Sequence, residues 1–261
     1  MEKDVLKQKM AEETTTLIGN IYEDAAKETM IESGKTLATI PQTINALLLP
    51  LRKWILEKEY AFEETKILLQ KKLENLKTTD IVEPEAYIAV PALEALSYSI
   101  NNETLRNMYA NLLANSMNKN TKDSVHPSFV DIIKQMSPND AKIFNEIFIS
   151  KIKPIMDLST SIKEKKGANN YLYNLTWINT FEYETISLSV SNLLRIGLIE
   201  IDGELSYVHD ENYSMIRNTK AYKNYADKCN KNANMTLKEN KHIIKVTALG
   251  ELFYKICVSD I

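Results

Sequence analysis

Gly34-Lys35-Thr36 has the form of the end of a phosphate-binding loop, where backbone N–H groups and a lysine cradle phosphate. That loop also needs a glycine five positions earlier, where Thr29 stands, and a preceding strand, where residues 22–31 read as helical. Zinc chemistry needs clustered imidazole, thiolate or carboxylate. His126, His209 and His242 are far apart and have no partner at ligand spacing. His126 precedes Pro127 and reads instead as a helix-start residue whose ring bonds backbone. Asp157 with Glu164, Lys165 and Lys166 has the residue types of a nuclease carboxylate–lysine set. It falls in a polar low-complexity stretch, so coincidence is the expected explanation. No Gly-x-Ser-x-Gly elbow or Cys/His pair stands out. No catalytic residue, metal ligand or cofactor site is assigned from these patterns, and a non-enzymatic role is expected.

Two stretches offer binding chemistry. Arg217, Lys220, Lys223, Lys228, Lys231, Lys238, Lys241 and Lys245 meet only Asp227 and Glu239, a local net charge of +6, and Tyr222 and Tyr225 interleave with them. Cations neutralise phosphates and aromatic rings stack on bases, so this mixture could grip nucleic acid or another partner. A solvated mobile loop is the plainer expectation for such a run. The most apolar stretch, residues 37–56, contains Leu47, Leu48, Leu49 and Leu51 and ends in Arg52, Lys53 and Trp54, residue types that anchor at lipid interfaces. At this length a buried core helix is the simpler expectation, with a membrane-active segment as the alternative.

The elements that must position these residues are mostly helices. Leu17, Ile18, Ile21, Tyr22 and Ala25 recur at helical spacing, as do Ile55, Phe62, Leu69, Leu73 and Leu76. Leu105, Met108, Tyr109, Leu112, Leu113 and Met117 make the clearest stripe, with Asn101 or Asn102 as its cap. Asn107, Asn111 and Asn115 form a polar row on that helix, expected at a wet surface, with a helix–helix seam as the alternative. Pro41, Pro50, Pro84 and Pro91 divide the region. Ser137-Pro138-Asn139-Asp140 is a helix start: serine caps, proline fits the first turn and aspartate suits the positive end of the dipole.

Residues 163–170 read as a polar loop. A helix from Glu184 to Arg195 follows, ended by Gly197, then a short strand at Leu198–Ile201, a turn at Asp202-Gly203, a strand at His242–Val246 and a last helix to Val258. This order is that of a winged-helix module, with residues 205–240 as a long insertion in its wing. The helix in the recognition position carries Glu182 and Glu184 at its start and only Arg195 at its end. It lacks the positive charge that dominates DNA affinity.

The expected fold class is therefore mainly α. A helical domain over 1–120 precedes a winged-helix-like α+β domain over 125–261, with a polar linker near 118–124. Charge follows this division: residues 1–118 carry 13 basic and 18 acidic side chains, 119–180 carry 9 and 6, and 181–261 carry 10 and 11. Hydrophobic content of 44% and net charge −3 exclude a disordered chain. Two cysteines cannot build a disulfide framework, and no signal-like or spanning apolar run is visible, so a cytoplasmic location is expected.

Three stretches carry a family resemblance. They are IYEDAAKETMIESGKTLATIPQTINALLLPLRKW (21–54), VEPEAYIAVPALEALSYSINNETLRNMYANLLANSMN (82–118) and HPSFVDIIKQMSPNDAKIF (126–144). Together they resemble the abortive infection alpha family of bacterial proteins. The resemblance implies a role in defence against phage, in which an infected cell stops growing or dies, and it implies no catalytic residues. The resulting expectation is a phage-defence protein acting through protein–protein contacts as an oligomer. Nucleic-acid binding through the basic insertion and membrane permeabilisation through 37–56 are the alternatives.

Overall fold

The computed structural model describes residues 43–44, 59–99, 102–162, 168–232 and 234–259. Leu47, Leu48, Leu49, Leu51 and Trp54, the Gly34-Lys35-Thr36 triplet and the Leu17–Ala25 stripe lie outside the described residues. The chain divides into two compact units, 1–130 with 260–261, and 131–259. Helices predominate, joined by one antiparallel four-stranded sheet.

In the first unit, α1 (Glu59–Leu73), α2 (Ala86–Ser99) and α3 (Glu103–Ser116) pack on one another. Leu69 and Leu73 of α1, Ile88, Leu93 and Leu96 of α2, and Met108, Tyr109, Leu112 and Leu113 of α3 are buried. Asn102 caps α3, its Oδ1 accepting the Leu105 N–H at 3.1 Å. Two of the three asparagines in the row are not wet: Asn111 and Asn115 are 2% and 3% exposed, Asn107 is half-buried, and Asn115 Nδ2 donates to the Asn111 backbone carbonyl at 3.1 Å. The helix is covered on more than its apolar stripe, which periodicity cannot reveal.

Helix α4 (Ser128–Lys134) spans the division between units. At its start the Ser128 N–H donates to His126 Nδ1 at 3.1 Å, the helix-start role expected for this histidine. Helix α5 (Pro138–Ser150) opens with a reciprocal capping box. Asp140 N–H donates to Ser137 Oγ at 3.1 Å, and Ser137 N–H donates to Asp140 Oδ2 at 2.7 Å.

The sheet has order β2-β1-β4-β3, where β1 is Ile152–Ile162, β2 Ala168–Leu175, β3 Ile199–Asp202 and β4 Met235–Val246. The strand expected at 242–246 is the end of the twelve-residue β4. Strands β1 and β2 correct the sequence reading, which left 168–170 in a loop. Their mixed Ser, Thr, Asn and Tyr content hides the alternation that marks a strand, because one strand is central and the other lies at the edge. Edge strand β2 holds two irregularities, an extra residue between Leu172 and Leu175 and another between Asn169 and Tyr171. Asn174 adopts φ +57° at the first of them. Such bulges break up the flat edge on which another strand could add.

Helix α6 (Tyr183–Arg195) ends as expected at Gly197, φ +79°. Gly197 N–H donates to the Leu194 carbonyl and Leu198 N–H to that of Leu193, the paired bonds of a glycine-terminated helix. After β4, Thr247 caps α9 (Ala248–Phe253), which runs into a π-helical turn, Tyr254–Val258. Helix α5 packs against it through Phe144 and Phe253 at 6.0 Å between ring centroids.

The insertion is folded, not the mobile loop expected from its charge. It forms a 3₁₀ turn (Asp210–Tyr213), α7 (Ser214–Arg217), α8 (Lys220–Asn230) and the first half of β4. Tyr213 and Ile216 sit fully buried against Met156, Leu158 and Leu175, with Ala221, Tyr222 and Tyr225 packed beside them. These five side chains, brought to the sheet by three successive short elements, outweigh the solvation of the lysines on the outer side.

Candidate functional site

The front face of the sheet is the one under α7 and α8. Residues two apart share a strand face, and register places Met156 beside Lys241, Leu158 beside Glu239 and Thr160 beside Leu237. Onto this face the insertion brings Arg217. Its Nε and Nη2 donate to the two oxygens of Glu239 at 2.8 and 2.6 Å. Its Nη1 and Nη2 also donate to the two oxygens of Asp210 at 2.8 and 2.9 Å. One planar guanidinium is thereby gripped by two carboxylates, each in two-point fashion. Lys241 Nζ reaches Asp210 at 2.6 Å and Glu239 at 3.4 Å, and the Tyr222 hydroxyl donates to Glu239 at 2.6 Å.

The electrostatics follow from this geometry. Arg217 holds the Glu239 carboxyl down to about 2, against the opposing effect of burial. Arg217 and Lys241 hold Asp210 well below the usual carboxylate range. Burial, then the neighbouring Glu239 carboxylate, pushes the Tyr222 phenol up to about 12. A network of ionised arginine, lysine and carboxylates closed by a neutral phenol is a clamp. It has no group poised to exchange a proton near neutral pH.

The structure places the residues of the basic run in two settings. Arg217 and Lys241 are spent in the clamp, and Lys245 pairs with Asp202 at 2.7 Å. Tyr222 and Tyr225 point inward against the sheet and offer no free ring for stacking. Lys220, Lys223 and Lys228 remain exposed on α8, Lys231 just past its end, and Lys238 on β4. No ion pair among the described residues involves these five.

The sequence reading missed the aromatic pair on the opposite, back face. Tyr171 and Tyr173 of β2 are 46% and 52% exposed, and their rings stack with centroids 5.2 Å apart and planes at 7°. Register aligns Tyr171 with Ser159 of β1, and Ser159 with Lys238 of β4. The only available signal was Tyr-x-Tyr in the segment after the polar stretch, where period-two spacing puts both rings on one side.

Helix α6 supplies a third surface. Tyr183 and Ser187 donate hydroxyl hydrogens to the Tyr173 carbonyl at 2.9 and 3.1 Å, tying the helix to the edge strand. Its solvent side carries Glu184, Leu188, Ser191 and Arg195. Leu188, at the middle, is 72% exposed. The three histidines stand on separate segments, and no group of three or more potential metal ligands occurs among the described residues. Nor is any helix among them long and apolar enough to cross a membrane.

A family model, abortive infection alpha, matches residues 57–257. The chain belongs to the abortive infection alpha family. The match takes in the stretches 82–118 and 126–144 and continues through the four-stranded sheet to the last helix. The stretch 21–54 lies outside it. No curated protein and no solved structure matches the chain. Family membership thus embraces the described helical unit, the clamp, the tyrosine pair and the exposed face of α6.

Proposed function

We propose that this protein serves abortive-infection-type defence as a non-enzymatic oligomer, built by contact between copies through α6. Family membership supports the defence role. The observation that carries the contact is the make-up of the exposed side of α6: Glu184 near its start, Leu188 72% exposed in the middle and Arg195 at its end. Arg195 donates to neutral partners only, Gln135 and Asn192, so its charge stays available. A two-fold contact requires a surface complementary to itself. Two antiparallel copies of this stripe set Glu184 of each opposite Arg195 of the other, with Leu188 buried near the axis. The same stripe suits DNA poorly, because two glutamates flank the start of the helix.

We read the second unit as winged-helix-like on the same terms. Its β1-β4-β3 strands, the helix ending at Gly197 before β3 and the helix after β4 follow that order, while β2 and the folded insertion are additions. The test is oligomeric state by light scattering, alongside plaque formation on cells producing the protein. Leu188→Asp is expected to yield monomers and lost protection at unchanged circular dichroism. Glu184→Arg and Arg195→Glu are each expected to weaken assembly, and the double reversal to restore it. Wild-type monomers, or Leu188→Asp oligomers with full protection, would overturn the reading.

A further inference from the structure

We infer that the back face of the β2-β1-β4 sheet binds single-stranded nucleic acid, with bases stacking on Tyr171 and Tyr173 and phosphate meeting Lys238. Three observations converge on that face. The two phenol rings are stacked and roughly half exposed, so a flat apolar surface is already organised in water. Every base has a flat face, and stacking on exposed aromatic rings of a sheet is sequence-tolerant. Lys238 stands two strands away in the same cross-strand row, about 10 Å from Tyr171 by ordinary strand spacing. The acid on this face, Asp157, accepts the Asn174 N–H at 2.8 Å and is in part occupied by the edge strand.

Charge selects the occupant. Lys238, the α8 residues Lys220, Lys223 and Lys228, and Lys231 just past the helix end are exposed, and α8 adds only Asp227 of opposite sign. These cations lie on an element fixed to the same strands from the front, so a 20-nucleotide strand whose central bases stack on the tyrosines meets them with the phosphates of its flanking nucleotides, which run round the sheet. A duplex keeps its base faces covered and cannot use the tyrosines, which singles out an unpaired strand. Paired or lipid phosphates would answer to the lysines alone.

The experiment is fluorescence anisotropy of the full chain with a labelled 20-nucleotide oligo(dT) and oligo(U), at 50–200 mM salt. The expected result is micromolar binding at the lowest salt that weakens as salt rises. The log–log slope should be near −3, as about 0.7 per phosphate neutralised gives for four to five contacts. Lys223→Glu with Lys231→Glu and Lys238→Glu should flatten that slope by about two. Tyr171→Ala with Tyr173→Ala should weaken binding about tenfold or more, whereas the paired Tyr→Phe variant should bind as wild type. Absence of binding to both oligonucleotides at 50 mM salt overturns the inference. So does binding indifferent to the alanine pair, equal affinity for a 20-base-pair duplex, or lysine-dependent capture by phosphatidylserine vesicles without oligonucleotide binding. Should the alanine pair fail to fold, the phenylalanine pair and lysine variants still decide: loss of binding in the former or an unchanged slope in the latter counts against it. None of these outcomes depends on whether α6 assembles copies.

Discussion

Replacing Arg217 by leucine removes the guanidinium while keeping an apolar stem, and so isolates the clamp. Two arms are lost. The Glu239 arm is sheltered, with 27% of the arginine side chain and 18% of the glutamate exposed, and has two short charge-assisted bonds. The Asp210 arm ends on a carboxylate 61% exposed, where water screens the attraction and little is gained. Glu239 keeps the Tyr222 hydroxyl and the more distant Lys241, so the orphaned charge is only part-compensated. Charge-assisted bonds at a sheltered site contribute about 1.5–3 kcal/mol, which puts the net loss at about 2 kcal/mol. For a chain of this size that is a fall in melting temperature of about 6 °C. The pH dependence carries a sign. Both carboxylates titrate lower in the folded protein than in the unfolded chain, so the clamp is at full strength above pH 4.5. It weakens as pH falls toward about 2. Melting followed by circular dichroism at pH 7 and at pH 2.5 should therefore show the gap between wild type and Arg217→Leu narrowing at the lower pH. A variant melting within 1 °C of wild type at pH 7, or a gap that does not shrink, refutes the clamp.

Gly250→Ala should be severe. A Cβ there would stand 2.1 Å from the Leu198 carbonyl oxygen and 2.7 Å from Val246, and the backbone oxygen has no room to yield. A loss of about 3 kcal/mol in urea denaturation is expected, and an unchanged midpoint would show that α9 shifts freely. Ser137→Ala should cost about 1 kcal/mol in the same assay, because Asp140 N–H loses its acceptor at the start of α5. Burial pushes the thiols of Cys229 and Cys257 up, Cys257 most. Native protein at pH 8 should react slowly with a thiol-disulfide reagent and release two equivalents of chromophore in denaturant; rapid native reaction at both would contradict the packing.

Much of the scaffold was written locally. Asn102, Ser137-Pro138-Asn139-Asp140, His126 and Gly197 act through atoms at most a few residues away, and each does in the structure what its type and neighbours indicate. The buried stripe of α3 was equally legible, since periodicity alone defines a helix face. Family likeness was carried by stretches of that kind. What the local pattern left open was partnership across the chain. Whether Arg217 is a free cation or a clamp depends on Glu239, 22 residues away, arriving on the adjoining strand face. Whether Tyr222 and Tyr225 or Tyr171 and Tyr173 meet solvent depends on which sheet face α8 covers. A side chain's charge and size belong to the sequence, but its exposure and its neighbours belong to the register of distant strands, and binding is set by those.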